Sequence, residues 1–242
     1  MNRFKYVILL IILISCSNKN SNWEKLNLHG FDIQIPNNWT YKQGKGIDSF
    51  IGEFKKGKAK LEFDYCDFGC ANELIPALDE YLQDYDYEWI PPCPFCEEGP
   101  TYTSFKNVEG VKKNMMKKLE TSDPNSVDVR PYPEYSQTYR KSSKNDKLKY
   151  PDSDYICTLK HQGDSIVIPI KIPERILNHN IKVARTDKFI IKTITPKNIG
   201  NGMTGIYYKS INGKYNFNLY GYDLNKEDND IALEIFKRIK MK

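Results

Sequence analysis

The sequence has 242 residues, of which 40% are hydrophobic and 28% are charged. A chain of this length can bury an apolar core as one large domain or as two small ones. Its formal net charge of +5 is small for that length. The charge therefore does not indicate a nucleic-acid partner, because such proteins place many cationic side chains against phosphates.

The N-terminus has the pattern of an export signal. Arg3 and Lys5 precede an unbroken apolar run over residues 6–14, and the small Ser15 follows it. This run is too short to span a membrane, which takes roughly 20 apolar residues, and it fits the apolar region of a signal peptide. We therefore expect residues 1–15 to be a signal peptide.

The end of this signal, Leu13-Ile14-Ser15-Cys16, resembles the lipobox of bacterial lipoproteins. The resemblance implies that the Cys16 thiol takes a diacylglyceryl group. It also implies that the peptide bond before Cys16 is cut and that the new amino group is acylated. The alternative is a plain signal peptide cut near Ser15, which would leave Cys16 as a loose thiol at the mature terminus.

Residues 16–22 are polar and have no hydrophobic period, so they read as a lipidated tether. The six residues after Cys16 reach at most roughly 20 Å when extended, which keeps the folded part near the membrane. Ser17 is not acidic, and by resemblance to known sorting rules this favours the outer membrane. We expect the membrane, through the lipid anchor, to be one partner, and the domain can face the periplasm or the outside.

The first half of the body predicts a β-meander followed by a helix. Apolar residues alternate with polar ones over residues 31–35, residues 49–54 read as a second strand, and Leu61, Phe63 and Tyr65 mark a third. Their short connections indicate antiparallel pairing. Leucines at helical spacing then predict a helix over residues 74–85. Residues 97–150 carry a weaker signal, with one helix around 111–119 and a basic loop up to residue 149.

The second half predicts a strand-rich segment that ends in a helix. Asn212-Gly213 predicts a type I′ turn between strands at 205–210 and 215–220, because both residues tolerate positive φ. Asn225 can cap the last helix, whose apolar face is Ala232, Ile235, Phe236 and Ile239. Such a helix needs a sheet to cover. The sequence thus predicts an α+β fold, an antiparallel sheet with a C-terminal amphipathic helix packed on it.

Both ends of the body resemble the PsbP-like fold. The stretch from Gly30 to Trp39 looks like its opening strand, and residues 204–207 and 231–236 look like its closing hairpin and helix. The pattern is also similar to bacterial envelope lipoproteins of unknown activity, in which Gly-Ile-Asp-Ser (46–49) precedes Phe-Asp-Tyr (63–65). The resemblance implies one domain over residues 23–242, with a cysteine-bearing insertion at 66–150. It offers no catalytic residues to transfer to this chain.

The insertion contains two close cysteine pairs, Cys66 with Cys70 and Cys93 with Cys96. Export exposes them to an oxidising compartment, so we expect disulfides, with local pairing as the simplest of the three connectivities. The alternative is one zinc ion held by the four thiolates. A thioredoxin-type site is disfavoured, because prolines precede Cys93 and Gly99-Pro100 ends any helix within a turn.

These features lead to two functional hypotheses. The first is a lipid-anchored envelope protein with no catalytic residues and no cofactor, which serves binding or assembly beside another envelope component. The second is a zinc-binding or thiol-dependent protein that uses Cys66, Cys70, Cys93 and Cys96.

Replacing Cys16 by serine should leave uncut precursor and abolish lipid labelling. Serine has no thiol for the thioether to the diacylglyceryl group, and multiple acyl chains are what makes membrane binding stable. Metabolic labelling with a fatty acid and fractionation of the membranes measure both effects. Normal processing and membrane retention of the Cys16→Ser protein would contradict the lipoprotein assignment.

Overall fold

The computed structural model describes residues 23–83 and 93–242. The predicted signal peptide (1–15), the tether (16–22) and Cys16 lie outside the described residues, as does the end of the predicted helix at 74–85. Within the described ranges, no helix is both long and apolar enough to cross a membrane.

The described chain is rich in strands and has few helices. The strands are β1 (Trp23–Asn27), β2 (Phe31–Pro36), β3 (Thr40–Gln43), β4 (Phe50–Lys56), β5 (Ala59–Cys66), β6 (Thr101–Thr103), β7 (Val129–Pro131), β8 (Ser136–Lys141), β9 (Tyr155–His161), β10 (Asp164–Ile170), β11 (His179–Arg185), β12 (Phe189–Pro196), β13 (Met203–Ser210), β14 (Asn216–Tyr222) and β15 (Lys240–Met241). The helices are α1 (Leu78–Gln83), α2 (Val108–Lys118), α3 (Lys144–Lys149), α4 (Glu174–Leu177) and α5 (Lys226–Phe236), with short 3₁₀ turns at Phe105–Asn107 and Pro124–Ser126.

A seven-stranded antiparallel sheet is the largest of the sheets, in the order β11-β12-β13-β14-β5-β4-β3. Two three-stranded antiparallel sheets, β1-β2-β15 and β10-β9-β8, accompany it, and β6 pairs with β7 in parallel. Segregated helices and mostly antiparallel sheets make this an α+β structure, as predicted.

The first face of the large sheet, defined by Leu61, Phe63 and Tyr65 of β5, lies in an apolar core. That core also contains β2 side chains and the buried face of α5. The Asn225 side chain caps α5 by accepting a hydrogen bond from the Asp228 N–H at 3.0 Å. The buried members of this core include Phe31, Ile33, Ile35, Trp39, Phe54, Leu61, Phe63, Ile206, Phe217, Leu219, Ala232, Ile235 and Phe236.

The second face, defined by Lys60, Glu62 and Asp64 of β5, carries a different cover. At the β11–β13 side, Ile194 and Met203 share a second core with residues of α1, β9 and β10. The buried members of this core are Ile75, Tyr81, Leu82, Cys157, Leu159, Ile170, Ile172, Ile176, Ile194 and Met203. At the β4–β5 side the second face is open.

Two predictions about the first half are wrong in detail. The strand at 31–35 does not join the meander, because β2 pairs with β1 and β15 while β3 takes the place beside β4. The helix predicted from residue 74 begins at Leu78, because Pro76 disfavours helical backbone at the residue before it.

The basic segment predicted as a loop up to residue 149 is partly ordered as β8 and α3. Residues of β8 pair with β9 along their length, for example Tyr139 with Cys157. Because β8 is an edge strand whose side chains are mostly exposed, its sequence has no apolar alternation to reveal it.

The predicted hairpin between β13 and β14 is confirmed, but the prediction of a type I′ turn is wrong. Gly213 has φ of 69° while Asn212 lies outside the left-handed region, and the loop spans residues 211–215. The type I′ geometry occurs instead between β9 and β10. There, Gln162 and Gly163 both have positive φ, at 47° and 99°.

Gly30→Ala should destabilise the protein more than Gly57→Ala. Both glycines have positive φ, 79° and 58°, so each alanine incurs a backbone cost of about 1–2 kcal/mol. A Cβ at position 30 would also lie well inside contact distance of the Tyr65 ring, whereas nothing lies within 4 Å at position 57. Denaturant unfolding should give an additional loss of about 1–3 kcal/mol for Gly30→Ala, and equal losses would contradict the packing.

Candidate functional site

The open part of the second face forms a cleft of about 710 Å³. Its floor is a patch of polar side chains that strand pairing brings together. Glu62 of β5 lies opposite both Glu53 of β4 and Tyr220 of β14. One step along, Asp64 lies opposite Asn218. The cleft therefore has a floor made by β4, β5 and β14.

One wall of the cleft is the segment 66–75, here called the strap, which leaves β5 and crosses the second face. Two amide side chains of β14 hold its backbone. Asn216 Nδ2 donates to the Gly69 carbonyl at 2.8 Å, and Asn218 Nδ2 donates to the Asn72 carbonyl at 2.9 Å. Asn218 also accepts from the Asp64 N–H at 3.1 Å, so one side chain ties the floor to the wall.

The strap approaches the sheet closely because a glycine faces it. A Cβ at Gly205 would lie 2.8 Å from Cδ1 of Leu74 and 3.1 Å from the Tyr220 Cβ. Any larger residue at position 205 would push the strap away from the second face. Gly205 thus sets the depth at which this wall stands.

A buried ammonium group fixes the far end of the strap. Lys192 of β12 is only 4% exposed, and its Nζ forms ion pairs with Glu73 of the strap and Glu80 of α1. Burial lowers the pKa of Lys192 to about 8, with Lys209 adding to the shift, while the two carboxylates favour the charged form. Burial also raises the pKa of the neighbouring Tyr207 to about 12, with the Glu80 charge adding to it.

The ion pairs in the cleft leave few charges unmatched. Glu53 pairs with Lys55 at 2.8 Å, and Glu62 pairs with Lys60 at 2.9 Å. The hydrogen bond from Lys55 lowers the pKa of Glu53. These pairs offset the repulsion of two carboxylates that face each other across β4 and β5.

Asp64 is the exception among the carboxylates of the floor. Its Oδ1 is buried without a hydrogen-bond partner, and burial raises the pKa of the carboxyl group. Among the described residues, no ion pair is formed by Lys42 or Arg175, which line the cleft from β3 and α4. The buried oxygen of Asp64 is out of reach of a ligand, whereas Lys42 and Arg175 offer cationic donors to the cleft.

Two tyrosines of β14 stand on the cleft side of the sheet. The Tyr220 and Tyr222 rings are edge to face, with centroids 5.8 Å apart. Tyr222 is 57% exposed. An exposed aromatic ring beside polar groups supplies an apolar contact surface with a polar tip.

Both ring nitrogens of His179 are engaged in hydrogen bonds within the fold, so neither is free to contact a ligand in the cleft. Its Nε2 accepts from the Met203 N–H at 2.9 Å, which assigns the proton to Nδ1, and Nδ1 donates to the Arg175 carbonyl at 2.6 Å. His179 thus connects α4 to β13 at the edge of the cleft.

The structure places the predicted cysteine pairs at disulfide distance, and both pairs are local. Cys66–Cys70 has its Cα atoms 5.4 Å apart and Cys93–Cys96 has them 5.3 Å apart. In the part of the chain that the structure describes, no three His, Cys, Asp or Glu side chains are grouped to hold a metal ion. The four-thiolate zinc alternative therefore gains no support. Cys66–Cys70 instead closes the start of the strap.

Apart from Phe63 and Asp64, which lie in the Phe-Asp-Tyr stretch of the resemblance, the cleft residues were not singled out by the sequence. Polar side chains alternate with apolar ones along β5, and that pattern indicates a solvent-exposed face as readily as a binding face. The only available signal was that Asn216 and Asn218 share one face of β14, since asparagine is disfavoured in strands without a specific contact.

No protein-family model matches the chain, and no curated protein is significantly similar to it. The function is therefore inferred from the geometry of the cleft and from the N-terminal sequence.

With Cys16 blocked by its thioether to the lipid, the protein unfolded without reductant should show one alkylatable thiol, Cys157. Reductant should raise the number to five. In the native protein Cys157 should not react at pH 8, because it is buried and burial raises the pKa of its thiol to about 11. Mass spectrometry after alkylation counts the thiols. Five reactive cysteines without reductant, or one bound zinc with four protected thiolates, would contradict both disulfides.

The double variant Glu73→Gln/Glu80→Gln should lower the free energy of unfolding by about 3–5 kcal/mol, because it leaves a buried ammonium without a counter-charge. Lys192→Met should cost much less, since the two carboxylates are 39% and 35% exposed and remain hydrated. Lys182→Met, at an exposed lysine of β11, is the control. Equal losses for the double variant and Lys192→Met in denaturant unfolding would show that the ion pairs do not hold the strap.

Proposed function

We propose that this protein is a lipid-anchored protein of the cell envelope that binds a ligand in the cleft, without catalysing a reaction. We place it at the outer membrane, held through Cys16. The observation that carries the binding role is the pre-formed cleft, whose wall is fixed before any ligand arrives. Pre-organised walls favour binding because little conformational entropy is lost when the ligand enters.

Three independent contacts support pre-organisation of the strap. The Cys66–Cys70 disulfide restrains its first residues. The asparagines of β14 hold its middle. The ion pair from Lys192 holds Glu73 near its end. The three contacts are of different kinds (a covalent bond, neutral hydrogen bonds and an ion pair), so neither reductant nor salt alone releases all of them.

We further propose that the domain is PsbP-like, with the C-terminal helix covering the sheet. The opening stretch of the resemblance supplies Phe31, Ile33, Ile35 and Trp39, and all of them are buried in the first core. The closing stretch supplies Ala232 and other apolar residues of α5 to the same core, a placement that supports the resemblance.

The groups in the cleft support a binding role more than a chemical one. Both ring nitrogens of His179 are engaged, and the carboxylates of Glu53 and Glu62 are paired with lysines. Cys157, the free thiol of the described chain, is fully buried. A catalytic base is hydrogen-bonded to the group that it activates. The hydrogen bonds of His179 instead go to backbone groups, and Cys157 is buried.

Site-specific photo-crosslinking of the full chain in its native cells tests this function. A photo-reactive phenylalanine derivative replaces Tyr222 in the cleft, and replaces Tyr132, which is 51% exposed elsewhere, as the matched control. We expect an adduct in the outer-membrane fraction from position 222 and none from position 132. No adduct at position 222, or equal adducts at both, would contradict a binding role for the cleft.

A further inference from the structure

We infer that the cleft binds a neutral, hydroxyl-rich chain, namely an oligosaccharide of uncharged sugars. This inference names the ligand class of the binding site proposed above and rests on that proposed function. Three features of the cleft point to the same chemistry: its shape, its charge balance and its exposed aromatic rings.

The shape suits a chain better than a single small molecule. The residues lining the cleft come from β3, β4, β5, β14 and β13, which are consecutive neighbours in the sheet. At about 4.8 Å between strands, this series spans roughly 19 Å. The volume of about 710 Å³ is in the upper part of the range of ligand pockets. The floor is a sheet face, so at the cleft a peptide could add as a further strand only at β3, an edge strand of the large sheet, and not across the floor.

The charge balance disfavours an ionic ligand. Lysines pair with Glu53, Glu62 and Glu73. Among the described residues that line the cleft, the charges without an ion pair are one carboxylate, Asp64, and two cations, Lys42 and Arg175. A polyanion would meet Asp64 and the neighbouring glutamates, and a polycation would meet Lys42 and Arg175. Neither sign of ligand would be attracted along the whole cleft.

The free hydrogen-bonding groups suit hydroxyls. Glu62 offers acceptor oxygens at the floor, with 41% of its side chain exposed, while Lys42 and Arg175 are donors only. A sugar hydroxyl both donates and accepts, so neighbouring hydroxyls of one chain satisfy groups of both kinds. Asn218 is a positioning residue, because its amide is already used by the strap and by the Asp64 N–H.

The aromatic rings supply the apolar part of the recognition. Tyr222 exposes 57% of its surface at the cleft, and the Tyr220 ring lies edge to face against it. Sugar rings present C–H groups on their faces and hydroxyls around their edges. A tyrosine ring can cover such a face while leaving the hydroxyls to the polar floor.

Titration calorimetry of the detergent-solubilised full chain tests the inference. The neutral probes are cellohexaose, maltohexaose and the hexamer of N-acetylglucosamine, and the charged probes are a heparin hexasaccharide and hexalysine. We expect at least one neutral probe to bind more tightly than both charged probes. The glucose hexamers and the amino-sugar hexamer distinguish a glucan from a cell-wall type of chain.

Variants locate the binding. Tyr222→Ala and Glu62→Ala should each weaken binding of the neutral probe about tenfold or more, equivalent to loss of one stacking contact or of one hydrogen bond to a charged group. Tyr132→Ala, outside the cleft, should leave it unchanged. Thermal unfolding of each variant confirms that the protein remains folded.

The inference is overturned if no neutral hexamer binds, if a charged probe binds best, or if Tyr222→Ala and Glu62→Ala bind like the original protein. The crosslinking experiment separates this failure from failure of the proposed function. A protease-sensitive adduct at position 222 would retain the binding role and refute the sugar ligand. Absence of any adduct would refute the binding role itself.

Discussion

The pairing of β14 with β5 is the interaction on which the rest of the structure depends. It joins residues far apart in the chain, since Asn218 and Asp64 are 154 positions apart. On one face this pairing brings Phe217 and Phe63 into the first core. On the other it places Asn218 beside Asp64 and under the strap. Without it the N-terminal meander would have no continuous sheet to join, and the cleft would have no floor.

Local features of the fold were predictable because their causes lie within a few residues. The alternation in β2 and β5 depends on neighbours two positions apart, and the cap at Asn225 depends on a residue three positions on. The local cysteine pairing follows from the same kind of short-range geometry. The α+β class followed from these elements together, because an amphipathic helix and half-buried strands each need a covered face.

The site was not predictable because it depends on contacts that skip most of the chain. Lys192 sits at an inward-facing position of a strand, where sequence rules expect an apolar residue, and only its carboxylate partners on the strap and α1 explain it. The pairing of β8 with β9 likewise leaves no periodic trace in a mostly exposed edge strand. Polar residues in a strand predict a solvent-exposed face unless the segment that covers them is known.

The division of β5 between two faces has an evolutionary consequence. Leu61, Phe63 and Tyr65 pack in the core, whereas Glu62 and Asp64 lie on the cleft side. Alternate positions of one strand are therefore under different structural constraints. Substitutions at the second set leave the packing of the first intact, because successive side chains point to opposite sides of a sheet. Substitutions on the cleft side of β5 can therefore accumulate without disturbing the packing that holds the sheet together.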